Sequence, residues 1–498
     1  MNTLSEQALG MTDRDTLEAL RSAPVTILQI GEGNFLRGFV DWMIQTCRAQ
    51  GLYEGSIAVT QPRPAGKAKI EQLAQQDGLY TLITQGLENG APVTRKETIQ
   101  VFSHVFDPYS EWERLRTIAI SEHLQVVVSN TTEAGLVYRP EALTDGPILS
   151  YPGKLAYLLH ERYVAFQGDP GKGLVLLPCE LLERNGDALK EAVLRYAEDW
   201  GFPEAFKTWV LAHNRFLNSL VDRIVTGYPA EAQAEAWFEE WGYRDAMLCT
   251  AEPYHLWAIE AEPELESLLP LRKAGLNVHW TDDLKPYQQR KVRILNGAHT
   301  WMAPIGLLHG VEHVRELLEH AWLGAEVKRT VLEEIMPSLP YDADELRAYA
   351  AAVFDRFGNP YIRHRLTDIA MNSISKFQTR LLPTIRHYGE SGGPIPSGLA
   401  LSLAGLIRYY RVEKQADGSY AGRTLGGVPY AVRDDARLLD RMASHWQQPD
   451  SKQLELGEIV RGLLADAELW GTDMSAWQGL SEAVAGEIER MERGGRDV

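Results

Sequence analysis

The first half of the chain alternates short apolar runs with amphipathic stretches. Apolar runs bounded by Gly, Pro or polar residues are typical of buried strands. They occupy residues 25–30, 56–60, 124–129, 174–177, 254–260 and 277–280. Helical spacing of apolar residues separates them, for example over 38–49 and 109–121. This alternation predicts an α/β fold with a mostly parallel, doubly wound sheet of the Rossmann type.

The pattern changes near residue 283, after which strand signals almost disappear. Long amphipathic stretches follow, over 287–308, 311–336, 342–357, 362–382 and 396–410. Such a series predicts a mainly α-helical region. We therefore expect two domains, a dinucleotide-binding Rossmann-type domain over 1–282 and a helical domain over 283–498.

Composition narrows the possible ligands and compartments. A net charge of -18 over 498 residues argues against a nucleic-acid surface, but not against a small anionic substrate in a basic pocket. The three cysteines (Cys47, Cys179 and Cys249) are far apart and form no metal-binding motif, so we expect no metal site and a reducing, cytoplasmic location. Neither a signal peptide nor an apolar run of membrane-spanning length is present, so no membrane partner is expected. The sequence does not indicate the oligomeric state.

A glycine-rich turn follows the first predicted strand, in the segment from Gly31 to Gly38. A strand, a tight Gly-x-Gly turn and a helix start are typical of a dinucleotide phosphate cradle. An ordinary glycine-rich turn is the alternative. The candidate cofactor-binding residues here are Ile30, Gly31, Gly33, Asn34, Phe35 and Arg37.

Two further strand ends carry candidate cofactor contacts. The second strand ends without the acid that commonly binds the ribose hydroxyls. Gln61 could bind the ribose instead, and Arg63 could tolerate a 2′-phosphate, so this motif leaves NAD and NADP both open. After a later strand, the polar run Asn130, Thr131, Thr132 and Glu133 either lines the ligand crevice or caps a helix, and the two interpretations are compatible.

A lysine, an amide and an imidazole lie close together in the second half, as Lys291, Asn296 and His299. In an α-helix, Asn296 would lie about 140° and His299 about 80° around the axis from Lys291. All three could therefore face one cleft, where they would suit the interconversion of a carbonyl and an alcohol. A solvated helix face is the alternative. Positive charge is also concentrated over 356–365 and 376–380, either as solvated faces or as partners for an anionic substrate.

Taken in order, several motifs resemble those of the polyol-specific long-chain dehydrogenases, the mannitol dehydrogenase family. They are Gly31-x-Gly33-x-Phe35-x-Arg37, Thr132-Glu133-x-Gly135, Val221-Asp222-Arg223-Ile224, Lys291-x4-Asn296-x2-His299, Asn359-Pro360 and Lys376. The resemblance implies a metal-independent, NAD(H)-dependent oxidoreductase. It implies Lys291 as general acid and base, Asn296 as the group that stabilises the alkoxide, and His299 as a partner of a substrate oxygen. The implied substrate-binding residues are Asp222, His299, His364 and Lys376.

The chain departs from the family pattern at three positions. Leu181, Gln288 and Asp368 stand where the mannitol-type pattern has asparagine, glutamate and arginine. A substrate pocket rebuilt in this way fits a small sugar acid better than a simple polyol. The stretches 31–37, 129–135, 178–181, 222–229 and 291–299 resemble the uronate-acting members of the family most closely. This resemblance implies reversible hydride transfer between D-altronate and D-tagaturonate in hexuronate (galacturonate) catabolism, with fructuronate and then a polyol as alternative substrates. A dinucleotide-binding sensor would have no use for Lys291, Asn296 and His299.

Overall fold

The computed structural model describes residues 2–144, 146–447 and 455–494. The chain divides into two compact units. The first comprises Met1–Gln85 and Pro92–Leu284, and the second comprises Gly86–Ala91 and Lys285–Val498.

Fifteen short strands are described between residues 2 and 281. They are β1 (Asn2–Thr3), β2 (Val25–Ile30), β3 (Ser56–Thr60), β4 (Tyr80–Glu88), β5 (Ala91–Ile99), β6 (Phe102–Val105), β7 (Val126–Ser129), β8 (Val175–Pro178), β9 (Arg215–Phe216), β10 (Ser219–Asp222), β11 (Val225–Gly227), β12 (Tyr243–Arg244), β13 (Cys249–Ala251), β14 (Leu256–Glu260) and β15 (Val278–Thr281). Six of them form a parallel sheet in the order β6-β3-β2-β7-β8-β9. This is the strand order 3-2-1-4-5-6 of dinucleotide-binding folds, and the order reverses between β2 and β7, where such sheets bind ligands. The remaining strands form the smaller sheets β11-β13-β4-β5, β10-β14-β15 and β1-β12.

Helices cover both faces of the six-stranded sheet. The helices of the first unit are α1 (Met11–Ser22), α2 (Asn34–Arg37), α3 (Val40–Ala49), α4 (Lys67–Gln75), α5 (Trp112–Ala119), α6 (Tyr151–Ala165), α7 (Asn185–Asp199), α8 (Glu204–His213) and α9 (Glu231–Trp241). Neighbouring strand residues point to opposite faces. Accordingly, Ile27 and Ile57 belong to one apolar cluster, while Leu28 and Ala58 belong to another. Burial on both faces explains why these strands are apolar throughout.

The second unit is mainly helical. Its helices are α10 (Lys285–Arg290), α11 (Asn296–Leu308), α12 (Val314–Glu319), α13 (Ala321–Arg329), α14 (Ala343–Phe357), α15 (Leu366–Ile369), α16 (Ser373–Arg380), α17 (Leu382–Glu390), α18 (Ser397–Tyr409), α19 (Ala436–Trp446), α20 (Leu456–Ala465), α21 (Ala467–Trp470) and α22 (Leu480–Glu492). An antiparallel sheet of β16 (Glu413–Lys414), β17 (Tyr420–Arg423) and β18 (Pro429–Val432) accompanies them. Almost every residue of α11 and α18 is buried.

The predicted fold class, a Rossmann-type sheet followed by a mainly helical region, is confirmed. Three of the longer predicted helices are divided in the structure. The stretch 287–308 contains α10, a π-helical turn and α11, and the stretch 311–336 contains α12, α13 and a second π-helical turn. The stretch 38–49 is one helix that begins at Val40. The stretch 362–382 contains α15, α16 and the start of α17, because Asn372 has a left-handed φ of 54° that interrupts the helix before α16.

Candidate functional site

The glycine turn after β2 requires glycine at its first position. Gly31 has φ 135°, and a Cβ there would lie 3.0 Å from the carbonyl oxygen of Asn130. The Gly31 amide donates to the Thr60 carbonyl at 2.8 Å, and the Ile30 carbonyl accepts from the Asn130 amide at 3.2 Å. A Cβ on Gly33 would meet no atom within 4 Å. The turn is therefore anchored to both neighbouring strands, while the backbone at Gly33 borders open space.

Two helices follow this turn, where the sequence predicts one over 38–49. α2 is a single turn that ends at Arg37, with Gly38 as its C-cap, and α3 begins at Val40. A Cβ on Gly38 would lie 2.7 Å from Cγ1 of Val225, so this glycine permits close packing against β11. The candidate phosphate cradle is thus the Gly31–Gly33 turn itself, followed by a helix of only one turn.

Arg37 supports the glycine turn from inside the protein. Its buried guanidinium donates to the Glu32 carbonyl at 3.2 Å, to Asn34 Oδ1 at 2.7 Å and to the Met247 carbonyl. Its own carbonyl accepts from the Tyr80 hydroxyl at 2.7 Å. These contacts shape the turn, so the geometry supports Arg37 as a positioning residue.

Asn34 and Phe35 also fix the turn. Asn34 Oδ1 accepts a hydrogen bond from Lys69 Nζ at 3.2 Å in addition to that from Arg37. The Phe35 ring stacks on Phe39 with centroids 4.9 Å apart.

At the end of β3, Gln61 is buried and already has a protein partner. Its Nε2 donates to Asp107 Oδ1 at 2.7 Å. A different acid lies beside this strand end, because a Cβ on Gly66 would be 2.8 Å from Glu32 Oε1 and 2.7 Å from Gln61 Cβ. The sequence analysis did not select Glu32 as a candidate, since an acid inside a glycine turn resembles any surface residue.

A buried carboxylate organises the polar loop after β7. Glu180 Oε1 accepts from the amide and the hydroxyl of Thr131 at 2.9 and 3.0 Å, and Oε2 accepts from Ser129 Oγ at 3.2 Å. Burial raises the pKa of Glu180, and these hydrogen bonds oppose that rise. Asn130 is held by the Cys179 carbonyl, to which its Nδ2 donates at 2.7 Å. Sequence reasoning did not single out Glu180, which is remote from this loop in the chain.

The same loop then turns sharply towards solvent. Thr132 has φ 88°, which is rare and strained for a residue with a Cβ. It precedes a single 3₁₀ turn at Glu133–Gly135, in which Glu133 is exposed. Leu181, at the position where the family pattern has an asparagine, is 68% exposed.

A cavity of about 450 Å³ lies at the carboxyl ends of β3 and β7. Its wall includes Pro62, Arg63, Thr131, Thr132, Arg139 and Tyr151. Ligands of doubly wound sheets bind outside the carboxyl ends of the strands. The cavity is therefore the candidate pocket for part of a dinucleotide.

In the second unit, Lys291 begins a π-helical turn, Lys291–Leu295, between α10 and α11. A π turn closes i→i+5 hydrogen bonds and is frequent at functional sites. The regular α-helical spacing assumed from the sequence is therefore interrupted between Lys291 and Asn296. Asn296 is the first residue of α11, and its carbonyl accepts a hydrogen bond from the Thr300 hydroxyl at 2.9 Å.

His299 lies on α11 in an enclosed setting. Its ring is 4.4 Å from the Phe357 ring and 5.7 Å from the His364 ring, measured between centroids. Its Nε2 is buried and has no hydrogen-bond partner among the residues described. Burial, and then the neighbouring charges of His364, Arg380, Arg356 and Lys376, hold the pKa of His299 well below its usual range. The imidazole is neutral at neutral pH and has an unused nitrogen for a ligand.

Four basic residues surround His299, and we call them the cationic cluster: Arg356, His364, Lys376 and Arg380. Burial lowers the pKa of Lys376, and the nearby Arg380 lowers it further. Lys376 Nζ donates to the Ile369 carbonyl at 2.8 Å, and Arg380 donates to the Thr300 hydroxyl at 3.2 Å. The sequence marked the charged segments containing Arg356 and Arg380 but did not select these two residues.

Asp222, the remaining predicted substrate-binding residue, lies in the first unit. It is buried at the end of β10 and pairs with Leu256 of β14. The adjacent Arg223 donates to the carbonyls of Glu252 and Gly38 at 2.9 and 2.7 Å. These arginine contacts join β10 to the segment after the glycine turn.

Over 2–144, 146–447 and 455–494, no helix has both the length and the apolar character needed to cross a bilayer. Within the same residues, His, Cys, Asp and Glu side chains form no group of three that could hold a metal ion.

Comparison with known proteins gives matches over nearly the whole chain. The family model of the mannitol dehydrogenase Rossmann domain matches residues 25–273, and that of the mannitol dehydrogenase C-terminal domain matches residues 283–492. A curated protein of Halalkalibacterium halodurans, named altronate oxidoreductase, is 42% identical over 94% of this chain and 90% of its own length. A protein of the same name from Bacillus subtilis is 42% identical over 93% of this chain and 92% of its own length. Another from Pectobacterium carotovorum is 41% identical over 96% of each chain.

Two solved structures share the fold. D-sorbitol dehydrogenase in substrate-free form has a TM-score of 0.71 at 21% identity, covering 96% of this chain and 94% of its own. Pseudomonas fluorescens mannitol 2-dehydrogenase, in a ternary complex with NAD and D-mannitol, has a TM-score of 0.60 at 23% identity, covering 96% and 93%. At these identities the likeness establishes the fold.

Proposed function

The chain belongs to the mannitol dehydrogenase family, and on that basis we propose that it is an NAD(H)-dependent altronate oxidoreductase, which interconverts D-altronate and D-tagaturonate. The observation that carries this proposal is the 41–42% identity, over more than nine-tenths of the chain, to curated proteins of that name. The cationic cluster gives independent support, because it suits an anionic sugar acid.

The first unit fits a dinucleotide. Gly31 and Gly33 leave a backbone surface that side chains would obstruct, directly beside the point where the strand order reverses. Ile30, Asn34, Phe35 and Arg37 shape this surface, and Asn130–Glu133 form the neighbouring edge. NAD(H), when bound, supplies the hydride in reduction and accepts it in oxidation.

The second unit supplies the proton chemistry. Lys291 donates a proton to the carbonyl oxygen during reduction and removes it from the hydroxyl during oxidation. The Asn296 amide donates a hydrogen bond that stabilises the developing alkoxide. His299 is neutral, so its ring can bind a substrate hydroxyl or the reacting oxygen without adding a charge.

The cationic cluster is the proposed carboxylate site. Arg380 and Arg356 offer planar donors that match a carboxylate, and Lys376 adds a positive charge. Burial lowers the pKa of His364, so its ring adds a hydrogen bond and no charge. Like charges held together at partly buried positions repel one another, and a bound carboxylate would relieve that repulsion. A neutral polyol would not, which favours a uronate over mannitol or sorbitol. Asp222, in the first unit, is proposed to bind a substrate hydroxyl.

Fructuronate, the epimeric keto-uronate, is the second candidate, since the cationic cluster would accept either acid. We propose to follow NADH oxidation with tagaturonate, fructuronate and fructose in parallel, and to repeat the series with NADPH. The proposal predicts the highest kcat/KM for tagaturonate with NADH. Preference for fructuronate would reassign the substrate epimer, and preference for fructose would refute the sugar-acid assignment.

A further inference from the structure

The second strand of the dinucleotide sheet lacks its expected acid. β3 ends at Thr60, and the next two residues are Gln61 and Pro62. No carboxylate therefore follows the strand directly. We infer that Glu32, within the glycine turn, provides the missing carboxylate and binds the 2′-hydroxyl of the cofactor's adenosine ribose. This inference concerns cofactor recognition and rests on the proposed NAD(H) dependence.

The backbone near Gly66 brings Glu32 to this position. Gly66 ends the 3₁₀ turn Pro64–Gly66, which follows β3 closely. A Cβ on Gly66 would lie 2.8 Å from Glu32 Oε1, closer than unbonded atoms of this kind approach. This distance places the Glu32 carboxylate beside the end of the second strand, where dinucleotide-binding folds commonly have an acid.

The Glu32 carboxylate is enclosed and has capacity to bind a ligand. The residue is 8% exposed, and no other residue in the described part of the chain donates a hydrogen bond to its carboxylate. Burial raises its pKa, while the positive charges of Lys69, Arg37 and Arg63 oppose that rise. A buried acceptor of this kind is stabilised when a ligand hydroxyl donates to it.

The other acid near this strand end is already occupied. Asp107 accepts hydrogen bonds from Gln61 Nε2 at 2.7 Å, from the Tyr109 amide at 3.0 Å and from Ser110 Oγ at 3.1 Å. Gln61 is likewise held by Asp107. Of the two acids close to Gln61, Glu32 is therefore the one with capacity for the ribose.

The position of Glu32 also affects the choice between NAD and NADP. Arg63 lines the cavity at the carboxyl ends of β3 and β7. Its charge alone would favour a 2′-phosphate. A carboxylate at the ribose would repel that phosphate and accept a hydrogen bond from the 2′-hydroxyl. Glu32 thus selects NAD over NADP despite the nearby arginine.

Three adenosine ligands test this assignment without turnover. We propose to measure the Kd of ADP, 2′-deoxy-ADP and adenosine 2′,5′-bisphosphate by calorimetry, for the wild type and for Glu32→Gln. Wild type should bind ADP about tenfold more tightly than 2′-deoxy-ADP, since a hydrogen bond to a charged group has roughly that effect. Glu32→Gln should weaken the binding of ADP by about tenfold and leave the binding of 2′-deoxy-ADP nearly unchanged. The same variant should bind adenosine 2′,5′-bisphosphate more tightly than wild type does.

The comparison within the wild type does not depend on whether the variant folds. The assignment would be overturned if wild type bound ADP and 2′-deoxy-ADP equally tightly. It would also be overturned if Glu32→Gln lost the same factor of affinity for all three ligands. Glu122→Gln, which alters an exposed pair with Lys172, is the matched control and should change none of the affinities. Failure of the proposed function is distinguishable, because the wild type would then bind no NADH or reduce no tagaturonate.

Discussion

The Arg380 guanidinium donates a hydrogen bond to the Thr300 hydroxyl at 3.2 Å, and that hydroxyl donates to the Asn296 carbonyl at 2.9 Å. One member of the cationic cluster is thereby tied to the helix that carries Asn296 and His299. Arginine remains charged even when burial lowers its pKa, as it does here. A substrate carboxylate held at Arg380 would therefore be fixed relative to the proposed catalytic helix.

Arg380→Gln should mainly impair binding of the sugar acid. We expect KM for tagaturonate to rise by about 10- to 100-fold with a smaller fall in kcat, because a charge-assisted hydrogen bond is lost. Steady-state kinetics with tagaturonate and fructose separates carboxylate binding from general damage to the site. Fructose has no carboxylate, so its KM should not depend on Arg380. Arg386→Gln, at an exposed position on α17, is the control. An unchanged KM for tagaturonate would remove Arg380 from the carboxylate site.

The same kinetic comparison applies to Lys376, whose amine also belongs to the cationic cluster. Lys376→Ala should raise KM for tagaturonate with little effect on KM for fructose, because the substrate carboxylate loses a positive partner. If KM for the two substrates rises equally, Lys376 supports the fold of α16 and does not bind the carboxylate.

Lys291→Ala should abolish most of the turnover while preserving cofactor binding. Removing a general acid or base costs about 10²- to 10⁴-fold in kcat. Single-turnover rates and fluorescence titration with NADH measure the two properties separately. Lys328→Ala, an exposed lysine of α13, should retain normal kinetics. Wild-type turnover in Lys291→Ala would refute its role in proton transfer.

Lys154 should make stability depend on pH. This lysine of α6 is fully buried, and its amine donates to the Tyr109 hydroxyl at 3.0 Å and to the Pro62 carbonyl at 3.3 Å. Burial lowers its pKa from 10.5 to about 7. Between these values the unfolded chain binds more protons than the folded protein, so the contribution to stability falls as pH is lowered through this interval and is constant below it.

Lys154→Met removes this titration. From pH 9.5 down to pH 7, the wild type should lose about 3 kcal/mol of stability relative to the variant. Thermal unfolding at a series of pH values measures the difference, with Lys190→Met on the surface of α7 as control. Parallel stability profiles for wild type and Lys154→Met would contradict the lowered pKa.

Two glycines of the second unit should respond oppositely to alanine. A Cβ on Gly405 of α18 would lie 2.4 Å from Cγ1 of Ile305 on α11, so Gly405→Ala should destabilise by about 1–3 kcal/mol through overpacking. Gly486 is exposed within α22 and faces open space, so Gly486→Ala should stabilise by about 0.5–1 kcal/mol. Denaturant unfolding measures both, and a stabilising Gly405→Ala would show that the two helices can separate without cost.

The sequence by itself determined the Rossmann-type parallel sheet of the first unit and the order of the motifs along the chain. The predicted strands at 25–30 and 56–60 match β2 and β3, because parallel strands buried on both faces must be apolar throughout and are bounded by turn residues. The glycine turn after β2 and the Lys291, Asn296 and His299 spacing are local patterns, so the chain alone displays them.

Only the tertiary structure decided which distant groups meet. The π turn at Lys291 is a difference in backbone hydrogen bonding that residue periodicity does not encode. Arg356, His364, Lys376 and Arg380 come together around His299 because several helices converge there. The Glu32 carboxylate lies against Gly66, just after the second strand, a contact between residues more than thirty positions apart. A sequence specifies local periodicity and turns directly, whereas contacts between remote residues depend on packing that only the folded chain provides.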